Sequence, residues 1–439
     1  MSALVLAAVL AATPVTLEDA RARSRENVQA LTALLQVSSA EQDVRIARSS
    51  LLPQLRFQTG ANLDYNGPQR YTDIVAVDGG FERQVIDVPE SLIPSFGLSV
   101  TLQQSIYDRA VWARLSQSGA QLEAQRGEAF EQQDTSELEG IQRFYALFRS
   151  QATILVLQKN VERSEQQLER ARALFQAGRV GKAEELSAQV NLGNDRIAVV
   201  SRQSQLATDQ TRLAAWLAMP GAEVVEAVDP GVLNQPAAPA PALDQALETA
   251  RTRRPLLMAL RERLRAAELQ ESIARAGYLP RLTLQGTYSR GGPNADIVFT
   301  QPKLQNSVSG GVGLSWDIFN GFSTQAQARR AEYQSRVAEL NLQQNERELE
   351  GSVRQAHVTL QAQITSTELA EANRKAASDA LSLAEERFNA GVSSTLEVRD
   401  AQLKLTQAEL TLLENRINVE IARFGLMRAM GTLAPGEAK

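Results

Sequence analysis

The sequence predicts an α+β membrane protein built from one duplicated unit, with four transmembrane β-strands per chain and two very long helices. Three observations predict it. Two segments, 95–219 and 303–434, contain no proline. Short motifs from the first half of the chain recur in the same order in the second. Four stretches alternate strictly between apolar and small polar side chains, over about ten residues each.

Composition narrows the function classes. The chain has 439 residues and a formal net charge of −5. That mild charge, with no basic stripe, argues against nucleic acid as a partner. The absence of cysteine excludes a disulfide framework, thiolate metal sites and a cysteine nucleophile. It also excludes the acylated cysteine of the usual bacterial lipoprotein. Ala3–Ala12 is apolar, ends in small residues and precedes Thr13-Pro14. It reads as a secretory h-region, so 1–12 is expected to be a signal peptide cleaved near Ala11 or Ala12. Met1-Ser2 departs from the usual pattern by supplying no basic side chain. No other run reaches the ~18 apolar residues of a transmembrane helix.

Taken in order, residues 13–218 form the first repeat. Leu17–Ala30 and Thr32–Ser50 read as helices, and Pro53 stops the second. Strand 54–65 follows, with Leu55, Phe57, Thr59, Ala61, Leu63 and Tyr65 on one face. Residues 66–93 carry the turn signals Asn66-Gly67-Pro68, Asp78-Gly79-Gly80 and Pro89, and are expected to be a loop. Strand 95–103 places Phe96, Leu98, Val100 and Leu102 opposite serine, glycine, threonine and glutamine. A long helix spans 108–174, Phe175–Lys182 is a tip, and a return helix spans 183–218. Residues 219–243 hold Pro220, Pro230, Pro236, Pro239 and Pro241 and read as a linker with little regular structure. The second repeat, 244–433, has strands 281–290 and 307–318, a shorter loop at 291–306, a long helix at 322–388 and a return helix at 396–430. Residues 434–439 are a tail. Each long helix of roughly 68 residues spans about 100 Å, too long for one globular domain.

The duplication rests on particular residues. Leu17-Glu18-Asp19-Ala20 matches Leu243-Asp244-Gln245-Ala246, and Leu52-Pro53 matches Leu279-Pro280. Phe175-Gln176-Ala177-Gly178 matches Phe388-Asn389-Ala390-Gly391. Asp108 to Gly178 is 70 residues and Asn320 to Gly391 is 71, so the long helices match in length.

The strands have the length and alternation of lipid-spanning strands, apolar outward and polar toward a wet lumen. Aromatics concentrate around them, and Tyr107, Trp112, Trp316, Phe319 and Phe322 fall where an interfacial girdle belongs. Four strands cannot close a barrel, and open edges in lipid cost several kcal/mol per unpaired group. Copies of the chain must therefore pair. Two copies give eight strands, too tight for an open channel, and three give twelve. The helices leave the strands on one side, the periplasmic side of an outer membrane protein.

This layout resembles the TolC-like outer membrane efflux proteins over essentially the whole mature chain. Leu17-Glu18-Asp19-Ala20, the two Leu-Pro pairs, Trp316-Asp317-Ile318-Phe319-Asn320-Gly321, and Phe388-Asn389-Ala390-Gly391 running on to Glu397, Asp400 and Ala401 carry the resemblance. It implies a homotrimer with a twelve-stranded barrel in outer membrane lipid, a coiled-coil-like helical barrel in the periplasm, and an equatorial collar. It implies a passive exit duct for efflux or type I secretion. The partners would be a periplasmic adaptor and an inner-membrane transporter of RND, ABC or MFS type.

In that family acidic side chains close the periplasmic tip. The matching positions are Glu397 and Asp400, with Glu184 the single acid repeated in the first half, where Ser187 stands at the other position. The tips Gly178-Arg179-Val180-Gly181 and Gly391-Val392-Ser393-Ser394 match the place where the adaptor docks. Ser393 stands where some members carry a basic residue that locks helices together. Arg179 or Lys182 is the expected substitute.

No enzyme constellation is present. The single histidine, His357, lies mid-helix and reads as a wall residue. Gly310-Gly311-Val312-Gly313 lies inside an alternating strand and is no dinucleotide loop. No P-loop, metal site or cofactor site is expected. The competing architecture is a soluble periplasmic coiled-coil scaffold with a small β-domain, which the lipid-type alternation argues against.

Overall fold

A computed structural model describes residues 13–219, 224–231 and 238–433. The expected signal peptide, parts of the 219–243 linker and the 434–439 tail lie outside these residues. The chain divides into two compact units.

The unit formed by Ser39–Leu122 and Glu262–Glu339 holds a four-stranded sheet. Its strands are β2 (Gln54–Asn66), β5 (Ser91–Tyr107), β7 (Arg281–Gly292) and β8 (Asn306–Ser315), antiparallel in the order β2-β5-β7-β8. Register sets the faces, because paired residues share one. Phe57 pairs with Val100, Val100 with Tyr288, and Tyr288 with Val308, so one apolar row crosses all four strands. Arg56–Thr101–Thr287–Ser309 is the polar row beside it. Leu55, Phe57, Leu63, Val308, Val312 and Leu314 are all exposed on the apolar face. β2 and β8 are the edges, and among the described residues neither has a second partner strand.

Several boundaries differ from expectation here. Residues 66–93 are no loop. β3 (Gln69–Val77) and β4 (Gly80–Val88) form a hairpin about Asp78-Gly79. The Asp-Gly-Gly signal was a hairpin turn, and the apolar runs beside it are its strands. β5 runs 17 residues, well beyond 95–103, with a bulge between Ser105 and Tyr107. Loop 291–306 contains a short helix, α7 (Ala295–Thr300), with Val298 buried and the Arg290 guanidinium donating to the Ile297 carbonyl at 2.6 Å. β8 ends at Ser315, so Trp316 and Ile318 lie outside the strand. Trp316 turns to donate its Nε1–H to the Tyr278 carbonyl at 3.0 Å, and Asp317 pairs with Arg281 at 3.3 Å. Gly321 and Phe322 then take left-handed φ values of 64° and 65° before the next helix begins.

The other unit comprises Met1–Ser38, Glu123–Arg261 and Leu340–Lys439. Besides α7, the described residues form α1 (Leu17–Arg25), α2 (Val28–Ser49), α3 (Arg109–Gln176), α4 (Lys182–Trp216), α5 (Leu243–Arg253), α6 (Pro255–Arg275), α8 (Ser323–Asn389) and α9 (Thr395–Met430). α3 and α8 have 68 and 67 residues, close to the expected length. The break between α1 and α2 comes at Asn27 rather than Leu31. The Asn27 side chain accepts from Ala30 N–H at 2.9 Å and starts α2, while Thr32 spends its hydroxyl on the Val28 carbonyl. The linker is not wholly irregular: β6 (Val225–Ala227) pairs in parallel with β1 (Thr13–Val15).

Three cores hold this unit among the described residues, the smallest joining Leu381, Ala384, Val398, Ala401 and Leu405 where α8 meets α9. One gathers Ile141, Phe144, Tyr145, Leu147, Leu213 and Ile417 around the β1–β6 pair. The second gathers Leu257, Val353, Leu360 and Leu426. His357 is buried, with a ring nitrogen 2.8 Å from the Pro241 carbonyl, which tethers the linker to α8.

Charges line one side of α3. Glu131 takes a bidentate pair from the buried Arg254 at 2.9 and 2.8 Å, and Arg254 also donates to the Arg428 and Ala429 carbonyls that end α9. Glu137 accepts from Arg21 at 2.7 Å and Arg25 at 2.8 Å. Asp134, between them, has only Arg25, at 3.5 Å, as an ion-pair partner among the described residues. Burial pushes its carboxyl up to about 6 despite Arg25.

Candidate functional site

Both predicted tips lie in the helical unit, and both close in the same way. α3 ends at Gly178, φ 70°, whose N–H donates to Phe175 O at 2.9 Å, while Arg179 N–H donates to Leu174 O at 2.9 Å. α8 ends at Gly391, φ 77°, whose N–H donates to Phe388 O at 2.9 Å, while Val392 N–H donates to Arg387 O at 3.0 Å. This left-handed closure is the reason for glycine in both motifs. Among the described residues nothing lies within 4 Å of the position a Cβ would take at either glycine.

The turns then feed helix starts. Gly181 precedes α4 without a side-chain cap. Ser394 caps α9 by accepting from Glu397 N–H at 3.3 Å. Val392 is exposed and Val180 half-buried. Arg179 makes no ion pair among the described residues. Lys182 donates to Glu185 on its own helix at 2.5 Å and sits over the Phe175 ring at 5.0 Å. That hydrogen bond holds the Glu185 carboxyl below its ordinary value.

The predicted aperture acids divide into two environments. Glu397 and Asp400 are exposed on the first turns of α9. Ser393 donates its hydroxyl to Glu397 at 2.6 Å, Arg387 lies 3.8 Å away, and Asp400 pairs with Lys404 at 2.7 Å. Glu184 is half-buried and accepts from the Thr395 hydroxyl at 2.5 Å. It therefore ties the first tip to the second.

Between these acids lies a polar network that the sequence reading missed. Arg399 binds Asp195 in a bidentate pair at 2.8 and 2.9 Å. The Ser164 hydroxyl donates to Asp195 at 2.5 Å. Gln402 donates to Asn160 Oδ1 at 3.0 Å and to Ser164 at 3.1 Å, and Thr406 donates to Asn160 at 3.0 Å. Asn160, Ser164, Asp195, Gln402 and Thr406 are buried. The network joins α3, α4 and α9. Arg399 is thus a basic residue that binds across helices, whereas Arg179 and Lys182 make no such pair among the described residues. A cavity of roughly 330 Å³ opens beside it, lined by Glu184, Ser187, Asn191, Thr395 and Arg399 among others. A signal existed: Gln402 and Thr406, four apart, interrupt the apolar seam of Val398, Ala401 and Leu405.

The predicted interface aromatics all lie in the sheet unit and are all exposed. Tyr107 ends β5, Trp112 begins α3, and Trp316 follows β8. Phe319 meets Phe322 edge-on at 5.5 Å, and Ile318 beside them is 82% exposed. Such a cluster of exposed apolar groups beside an exposed apolar sheet face is expected in lipid, not in water.

A family model described as outer membrane efflux protein matches residues 17–218 and 246–432. The interval between the matched segments coincides with the proline-rich linker. Outer membrane protein TolC of Vibrio cholerae is 23% identical over 416 residues, covering 94% of this chain and 90% of its own. The probable efflux pump outer membrane protein TtgC of Pseudomonas putida is 26% identical over 189 residues, 41% of this chain and 37% of its own. Among solved structures, the open-state MtrE outer membrane channel of Neisseria gonorrhoeae has a TM-score of 0.76 at 17% identity, covering 95% of this chain and 89% of that one.

Proposed function

The chain belongs to the outer membrane efflux protein family, and from that membership we propose that it is the trimeric exit duct of a tripartite efflux assembly. Members of the family are outer membrane channels and not enzymes. The sheet unit sits in the membrane and the long helices reach into the periplasm.

One observation carries the trimer. The four-stranded sheet exposes an apolar face and, among the described residues, leaves the outer edges of β2 and β8 without a partner strand. In lipid that arrangement is stable only when other copies supply the missing strands. Three copies give a twelve-stranded barrel wide enough for a wet lumen.

In the helical unit, Glu397 and Asp400 form the gate. Repeated three times around a narrow opening, they favour cations and repel anions. Glu184 acts differently, by holding Thr395 and with it the start of α9. Gly178–Gly181 and Gly391–Ser394 receive the hairpin of a periplasmic adaptor, which couples the duct to an inner-membrane transporter of RND, ABC or MFS type. Cargo choice resides in that transporter. Efflux is favoured over protein secretion because a named relative is an efflux component.

Single-channel conductance of the purified protein in a planar bilayer tests this. Wild type is expected to show small, cation-selective openings, and Glu397→Ala with Asp400→Ala is expected to enlarge them or abolish selectivity. Unchanged conductance would move the gate elsewhere, and failure to insert would overturn the duct.

A further inference from the structure

The long helices of the helical unit form a row with two outer members. α3 and α9 lie at its centre, where Asn160 meets Gln402 and Arg163 meets Glu409. α4 lies against α3 through Ser164–Asp195 and Ser150–Asp209. α8 lies against α9 through Glu371–Arg416 and the core of Leu381, Val398 and Leu405. Near the tip α9 also reaches α4 through Arg399. Among the described residues no hydrogen bond or ion pair joins α4 to α8. The far sides of α4 and α8 are therefore the two edges of the row.

Each edge helix carries two seams. On α4, Leu192, Asp195, Asp209 and Leu213 are buried. Two residues away in sequence, about 200° around the helix, a second series begins. Leu186, Val190, Gly193, Ile197, Val200, Ser204 and Ala207 follow alternate steps of four and three, and all are exposed. α8 repeats the pattern. Val353, Leu360, Leu381 and Ala384 are buried in cores shared with α9. Val358, Ala362, Thr365, Leu369, Ala372, Ala376 and Leu383 form the opposite series, all exposed, with Asp379 its single charge. Ile197, Val200 and Leu369 are 67, 65 and 63% exposed. A solvated helix face is polar. A series of uncharged residues with a repeat of about 3.5 is a coiled-coil seam, which requires a facing helix.

A ring of copies brings the two free seams together. Rotation about the pore axis sets the α4 edge of one copy against the α8 edge of the next, a heterologous contact that closes. Rotation leaves height along the axis unchanged, and that fixes the register. The two tips stand level, because Glu184 beside the first binds Thr395 beside the second. Leu186 lies eight residues after Gly178 (186 − 178), and Leu383 eight before Gly391 (391 − 383). The same count sets Gly193 level with Ala376, Ile197 with Ala372, Val200 with Leu369 and Ala207 with Ala362. Glycine and alanine at these layers let the two helices approach closely. The one polar layer sets Val190 against Asp379.

We infer that the free seam of α4 packs antiparallel on the free seam of α8 in the next copy, with Val200 level with Leu369. The partner is a second copy of this chain, and the inference rests on the trimeric reading. The strand edges and the helix edges are then closed by the same neighbour.

The chain has no native cysteine, so introduced thiols report on their own contacts. Val200→Cys with Leu369→Cys places two thiols at one level on opposite edges. Oxidation in intact outer membranes is expected to convert the denatured monomer band into covalent dimer and trimer. Val200→Cys with Leu383→Cys is displaced by two heptads, about 21 Å, and is expected to stay monomeric, as is each single variant. Native mass spectrometry of the same proteins counts the copies. A three-copy mass without covalent dimer from the level pair overturns the seam contact and leaves the trimer standing. A one-copy mass overturns both. Cross-linking by the displaced pair or a single variant to the extent of the level pair overturns the register.

Discussion

Replacing Arg399 tests whether the buried network holds the tip together. Arg399→Met removes both hydrogen bonds to Asp195 and leaves that carboxylate buried beside Ser164 alone. Breaking a buried ion pair from one side costs roughly 3–5 kcal/mol. The Arg399 and Asp195 side chains are 16% and 9% exposed. Some solvent therefore remains, and the lower end, about 3 kcal/mol, applies. The loss is local, because the network joins only α3, α4 and α9 near their tip ends. Hydrogen–deuterium exchange of the detergent-solubilised protein reads it directly. Amides of 156–170, 188–200 and 396–408 are expected to exchange about a hundredfold faster. Asp195→Leu alone is expected to cost less, because Arg399 keeps Ser164 and reaches solvent. The double variant Asp195→Leu with Arg399→Met is expected to return to within about 1 kcal/mol of wild type, since an apolar pair of similar volume replaces the ions. A double variant exchanging as fast as Arg399→Met would refute the coupling. Single variants that exchange like wild type would show that the pair contributes nothing to tip closure.

Two further perturbations address the helical unit. Asp134 titrates near 6 in the folded chain because of burial, against 3.8 when unfolded. The folded state therefore binds the extra proton between those values, and stability rises as pH falls through 6 toward 3.8, by up to about 3 kcal/mol over that window. Arg25 and Arg254 face it and oppose the rise, while Glu131 and Glu137 add to it. Asp134→Asn is expected to raise the melting temperature at neutral pH and flatten its dependence on mild acid, and a lowered melting temperature would count against the burial argument. At Gly140, an added Cβ would lie 1.8 Å from Ser24 Oγ, itself fully buried and bonded to Ala20 O and Trp216 Nε1. Gly140→Ala is expected to cost about 1–3 kcal/mol in thermal or denaturant unfolding, with partial recovery on adding Ser24→Gly. Absence of recovery would place the strain elsewhere.

Much of the fold was legible because its signals are local. Two proline-free stretches of helical composition yielded α3 and α8 to within two residues at each end. Period-two alternation yielded the four sheet strands and the correct faces. The losses have physical causes. β3 and β4 were hidden because turn residues were read without the short apolar runs beside them. β8 was drawn too long because Trp316 and Ile318 continue the alternation, whereas Trp316 and Asp317 are recruited by Tyr278 and Arg281. The second helix was started at Thr32 rather than Val28, although asparagine at 27 is a strong cap. β1–β6 was invisible because three-residue strands pair over more than two hundred positions. At the tips the two glycine turns and the exposed acids of α9 were readable from motif and spacing. The Arg399–Asp195 network was not, since its members come from three helices and only their packing brings them together.

The β1–β6 pair sets an order of events for the emerging chain. Thr13 waits for Val225, and Arg21 donates to the Leu433 carbonyl at 2.9 Å. The first residues of the helical unit are thus completed only by its last. A polypeptide delivered N-terminus first cannot finish α1 packing until almost the whole chain has crossed the inner membrane. Contacts this distant in sequence make slow folders with exposed intermediates. The half-exported chain, with Leu17 and Val15 still uncovered, is where a periplasmic chaperone would find its longest opportunity to bind.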